Sequence, residues 1–149
     1  MQNRTKRICI VGGLYFVISY IINILQGIFY SYNRYDVFAD CLGIVLSLFG
    51  TIFVILFFLI LFGKQVYFLD KFIDICPNIS IYLYYIGYIG YILLVFDILI
   101  LIPTMLMSLS EITQQYLTWL IVCINVVGAI IALVLASKAV FFKNKTMQK

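Results

Sequence analysis

Four apolar runs, each longer than twenty residues, dominate this 149-residue chain: about residues 8–30, 37–62, 79–109 and 116–142. Crossing ~30 Å of hydrocarbon at ~1.5 Å per residue takes ~20 residues, so each run is long enough to span a bilayer. Hydrocarbon offers backbone groups no hydrogen-bond partner, so a spanning segment is a helix or a barrel strand. Barrel strands alternate apolar and polar residues over ~10 positions. These runs are apolar on every side, which predicts four transmembrane helices. Composition agrees: 65% of residues are hydrophobic and 11% charged, against roughly 45–50% and 25% in soluble domains. The basic start MQNRTKR resembles a signal peptide, but the run after it exceeds a signal core of ~7–15 residues, so it reads as a retained first span.

Charge sets the expected orientation. Arg4, Lys6 and Arg7 precede the first run, Lys64 and Lys71 fall between the second and third, and Lys138, Lys143, Lys145 and Lys149 close the fourth. Only Arg34 lies on the opposite side, near Asp36, Asp40 and Glu111. The positive-inside rule then puts both termini in the cytoplasm. The net charge of +4 is accounted for by topology and gives no reason to expect a nucleic-acid partner, whereas membrane lipids are expected partners. Within residues 64–77, Phe68, Phe72 and Ile75 share one helical face and Lys71 and Asp74 another. This predicts a short interfacial helix on the cytoplasmic leaflet, ended by Pro77.

The chain has no histidine and its four cysteines, Cys9, Cys41, Cys76 and Cys123, form no CxxC pair. No metal site, cofactor or histidine-based catalytic centre is expected, and the chain reads as a non-enzyme. Cys41 and Cys123 share the outer half of the membrane and read as small buried thiols rather than a disulfide.

Lipid gives helices little hydrophobic reason to associate, so seams are expected where small residues let backbones approach. The second run carries Ala39, Gly43, Ser47 and Thr51 at spacing four; the fourth carries Gly128, Ala132 and Ala136; the third carries Gly87 and Gly90. The first carries Gly12 and Gly13, then Ser19, Asn23 and Gln26. These stripes are expected to face one another, with the aromatic residues toward lipid. Asn23, Ser47, Asp97 and Asn125 fall at related depths and predict an intramembrane polar cluster. Asp97 is the single acid deep in a span, where a carboxylate is costly. It reads either as a proton- or substrate-linked site or as a packing lock. Pro103 is expected to kink the end of its helix. Tyr82, Tyr84 and Tyr85 fit an interfacial belt, whereas Tyr88 and Tyr91 lie deeper, placed to line a cavity and offer hydroxyls.

The second run ends GKQVYF (residues 63–68) and the fourth ends SKAVFF (residues 137–142), an offset of 74 that also maps Gly13 on Gly87 and Asn23 on Asp97. Residues 6–68 and 80–142 thus read as two copies of a helical pair, a 2+2 parallel repeat about an axis along the membrane normal. These endings, the basic start and IVGGLYFVISY (residues 10–20) resemble the GtrA-like family over residues 6–145. Members are small four-span bacterial membrane proteins acting in O-antigen and teichoic-acid glycosylation. The family often places Asn and Arg near the close of the second span, where this chain has Gly63 and Gln65. The resemblance implies a multi-pass protein of the bacterial cytoplasmic membrane. It further implies translocation of a polyprenyl-phosphate-linked sugar, or support of the glycosyltransferase that makes it. Lys64 and Lys138 are then placed to meet a lipid phosphate or headgroup, though snorkelling anchors would look the same. The alternative is a non-enzymatic four-helix subunit that forms homo-oligomers and anchors or signals to a cytoplasmic partner, as in phage-defence (Kiwa-like), superinfection-exclusion or immunity proteins. A small multidrug exporter would need an acid in the first span, where Asn23 stands.

Overall fold

A computed structural model describes residues 2–31, 36–106 and 111–147. All five elements are helical: α1 (Gln2–Ser31), α2 (Asp36–Leu61), α3 (Tyr67–Ile75), α4 (Pro77–Leu106) and α5 (Glu111–Met147). Four of them are long and apolar enough to cross a membrane, and α3 is the short one. Arg34 and Lys149 lie outside the described residues, and α4 continues past Pro103 to Leu106.

The four long helices pack as a row, α2–α1–α4–α5, in which α1 and α4 form the central pair. The starts of α1 and α4, the end of α2, and α3 come together at one end. There Ile10, Val11, Ile60, Leu69 and Leu83 form the buried core. Tyr82 of α4 meets Ser137 of α5 at 3.2 Å, so the later part of α5 belongs to the same end. Arg4, Lys6, Arg7, Lys64, Lys71, Lys138, Lys143 and Lys145 therefore gather at that end. Most of the remaining apolar surface points outward: Val37 is 75% exposed and Leu99 61%. Such a surface is stable only against lipid.

The central seam depends on glycine. A Cβ on Gly13 would strike the backbone carbonyl of Leu83, and one on Gly87 would strike that of Cys9 and lie 2.7 Å from the Gly13 nitrogen. The two backbones touch, as small-residue seams in membranes allow. The α4–α5 seam is of the same kind: Gly128 faces Leu93, and Ala132 and Ala136 are fully covered.

Two expectations about the interior change. The aromatic residues do not all face lipid. Tyr15 stacks on Phe53 at 4.6 Å, and Tyr91 lies edge-on to Phe16 at 5.9 Å, filling the space the glycines leave between helices. Among its described members the stripe on α2 does not enter a seam: Ser47 and Thr51 are exposed and Gly43 lies against Gln26, while the side chain of Ala39 lies outside the described residues. A row leaves its end helices with one neighbour each, so a second stripe has nothing to meet. The same geometry leaves Cys41 and Cys123 as free thiols on exposed faces, while Cys9 is buried.

Gly63 ends α2 with φ of +77°. Its N–H donates to Ile60 O at 3.0 Å and the Lys64 N–H donates to Leu59 O at 2.9 Å. This is the Schellman pattern, which needs a left-handed residue. Ser137, its counterpart in the second ending, sits inside the unbroken α5. The two similar endings thus adopt different conformations, one a stop and one continuous helix. After the stop, α3 turns Leu69 into the core, with Phe72 and Ile73 packed beside it. Phe68 and Ile75 stay 79% and 67% exposed, so Phe72 is drawn inward from the three-residue face read in the sequence. Arg7 of α1 ties α3 down through a 2.7 Å ion pair with Asp70.

Candidate functional site

The α2 stripe lines a groove of about 620 Å³ that opens on the surface of the row. Its polar lining is Gln26 from α1 with Asp40, Ser47 and Thr51 from α2. Gly43 makes the room: a Cβ there would lie 3.4 Å from the Gln26 amide nitrogen. The Ser47 hydroxyl donates to Gly43 O and the Thr51 hydroxyl to Ser47 O, each at 3.0 Å. Each hydroxyl therefore satisfies its proton one turn back along its own helix and turns oxygen lone pairs outward. Asp40 is exposed at the α2 start. The groove so offers acceptors from two hydroxyls and a carboxylate, plus an amide, along ~16 Å of helix at ~1.5 Å per residue.

The polar residues expected to cluster divide between this groove and a second place. Asn125 of α5 donates its amide to both carboxylate oxygens of Asp97, at 3.3 and 3.1 Å, and to Ile121 O at 3.0 Å. This joins α4 to α5, and both residues are half-buried. Asn23 does not join them; it is exposed on α1. Gly13 and Gly87 face each other on parallel helices, and Asn23 and Asp97 each lie ten residues further on. Ten steps of ~100° turn both by the same angle in the same sense, which on facing helices leads to opposite sides of the seam. Ser47 lies on α2, at the far end of the row from α5.

Tyr91 packs inside. Its hydroxyl donates to Ile8 O at 3.4 Å, and Gly12 leaves space for its ring. Tyr88 stacks with Tyr84 at 6.3 Å and is 48% exposed. Lys64 follows the Gly63 turn, where the Arg4 guanidinium lies 2.7 Å from the position of a Gly63 Cβ. Lys138 is exposed on α5, one residue after Ser137. Gly90 packs against the Phe16 ring.

Sequence reasoning did not assign Gln26, Asp40 and Thr51 to a site. Asp40 reads as a topology charge, and Thr51 and Gln26 as parts of packing stripes. The available signal was that α2 carries polar atoms along one whole face, where seams need only small side chains.

Comparison of the chain with protein-family models, with curated proteins and with solved structures finds no match.

Proposed function

We propose that this protein is a four-span carrier that helps a lipid-linked sugar cross the bacterial cytoplasmic membrane, acting as a translocase or as an accessory of glycosylation. The observation that carries this reading is the α2 groove, open to the side, in which Asp40, Ser47 and Thr51 stand beside Ile44 and Leu48. A polyprenyl-phosphate sugar has a head that needs hydrogen bonds and a tail that must remain in lipid. A sideways-open groove lets the sugar hydroxyls donate to Asp40, Ser47 and Thr51 while the phosphate, itself an acceptor, and the tail stay outside. The GtrA-like resemblance supports the same class of substrate. No residue is given a covalent role, so the chain acts without enzymatic chemistry.

The topology proposed is both termini cytoplasmic, supported by the eight basic residues gathered at one end. The exposed Tyr67, Phe68 and Ile75 support α3 as an interfacial helix on that leaflet. A parallel 2+2 repeat is supported by the central seam. The offset of 74 maps Gly13 on Gly87 and Cys9 on Leu83. The Gly13–Leu83 and Gly87–Cys9 contacts are therefore images of each other, as at a two-fold interface.

The test is lipid-linked sugar translocation in proteoliposomes. The wild-type chain should speed it above empty vesicles, and Ser47→Leu with Thr51→Leu should return it to the empty-vesicle rate while the protein stays folded. No difference between wild type and empty vesicles overturns the reading. A second reading has one observation in its favour. Gly43, Ser47 and Thr51 at spacing four on an end helix also suit packing against a second copy, as an oligomeric membrane subunit would use them.

A further inference from the structure

The opposite face of α2 carries a second groove, and nothing in it is polar enough to need a sugar. It holds about 140 Å³ between α1 and α2, lined by Val11, Leu14 and Ile18 on one side and Phe53 and Leu56 on the other. Its basic end is roofed by α3, whose Phe68 lines the groove although it is 79% exposed. Two exposed cations stand at the turn that leads into the lining residue Val66. Arg4 lies over Gly63, and Lys64 is the next residue in the chain. Of the two acids on α3, Asp70 is paired with Arg7 at 2.7 Å, which neutralises its charge, and Asp74 lies four residues further along the helix.

An apolar slot that ends at two free cations has the shape and charge of an anionic lipid. We infer that this corner holds one anionic phospholipid of the bilayer, a phosphatidylglycerol-type molecule. The headgroup-proximal methylenes of one acyl chain lie in the slot under Phe68, the rest of the chain stays in the bilayer, and the phosphate lies against Arg4 and Lys64. The groups suit the ligand in turn: an apolar lining between α1 and α2, Phe68 beside it, and two cations at the turn before Val66 to meet a phosphate. This lipid is resident and structural. It sits on the face of α2 opposite the polar groove and does not depend on the carrier reading.

Native mass spectrometry of the full chain, released from detergent after addition of phosphatidylglycerol or phosphatidylcholine, tests it. Wild type should retain one phosphatidylglycerol and far less phosphatidylcholine. Arg4→Gln with Lys64→Gln should weaken retention about thirtyfold, from the worth of two basic residues near an anionic headgroup. Phe68→Ala should weaken retention of both lipids, because it opens the slot without touching charge. Lys143→Gln with Lys145→Gln, on the distal end of α5, should leave retention as in wild type. All of these positions but Lys143 are exposed, so folding should survive. Equal retention by wild type and the Arg4/Lys64 variant overturns the inference. So does equal retention of the zwitterionic lipid, or displacement of phosphatidylglycerol by an equimolar polyprenyl phosphate, which would make the corner a substrate site.

Discussion

Substituting alanine for Gly87 adds a single methyl group at the tightest point of the molecule. Its carbon would overlap the Cys9 carbonyl and crowd the Gly13 nitrogen, and both are backbone, which no rotamer change can move aside. The helices must separate. Overpacking of this kind costs about 1–3 kcal/mol, and close Cα–H···O contacts, worth about 0.5–1 kcal/mol each, are lost with it. Gly87→Ala should therefore destabilise by about 2–3 kcal/mol, and Gly13→Ala, against the Leu83 carbonyl, by a similar amount. Once one methyl has parted the helices the second meets less resistance, so the double variant should fall short of the sum by at least ~1 kcal/mol, as contacting residues do. Gly27→Ala is the control. A Cβ there meets nothing within 4 Å, and alanine in a helix is favoured over glycine by about 0.5–1 kcal/mol. Unfolding of the purified protein in mixed micelles by added denaturing detergent reads all four variants. Equal stability of Gly87→Ala and Gly27→Ala, or strict additivity of the double variant, would refute the backbone contact.

Further outcomes follow from other contacts. Asp97→Asn keeps an acceptor for the Asn125 amide and should fold normally, whereas Asp97→Leu leaves that amide only its Ile121 carbonyl partner and should cost about 1–3 kcal/mol; loss of activity in a normally folded Asp97→Asn would make the carboxyl functional rather than structural. Asp70→Ala leaves a partly covered Arg7 alone and should loosen α3, seen as faster proteolysis between α2 and α4 with the four long helices intact; an unchanged cleavage rate would contradict the tether. Gly63→Ala puts a side chain at a left-handed position beneath Arg4 and should cost about 1–2 kcal/mol in the same detergent titration; a neutral result would deny that turn. In a cysteine-free background, a cysteine at Asn33 should react with an impermeant reagent on whole cells and one at Asn144 should not; the reverse pattern would invert the topology.

The spans were legible because bilayer thickness and backbone satisfaction leave so few options for runs this long and apolar. That Gly13 and Gly87 belong to seams was legible because glycine in a spanning helix has few uses other than close approach. Depth alone grouped Asn23, Ser47, Asp97 and Asn125, and of these only Asp97 and Asn125, on antiparallel neighbours, are brought together. The order of the row was not legible. Helices that are apolar on all sides give no direction toward a neighbour, so nothing in α2 says that its Ser47 face is the one left uncovered. The site suffered from the same ambiguity. Gly43, Ser47 and Thr51 have the spacing of a packing stripe, and only the missing neighbour turns that stripe into a groove. Asn23 does not meet Asp97 because each lies ten residues beyond a glycine of the facing pair, and the same rotation on facing parallel helices leads to opposite sides.

What touches the α2 groove is the question on which the account turns, and photo-crosslinking reads it directly. A photoreactive amino acid at Ile44, in the groove lining, and another at Ile130, on an exposed face of α5, would be activated in membranes supplied with a radiolabelled polyprenyl-phosphate sugar. The account predicts label joined to the chain from position 44 and little from position 130. Label at neither position, with a covalent dimer of the chain formed from position 44, would contradict it and make the groove an interface between two copies.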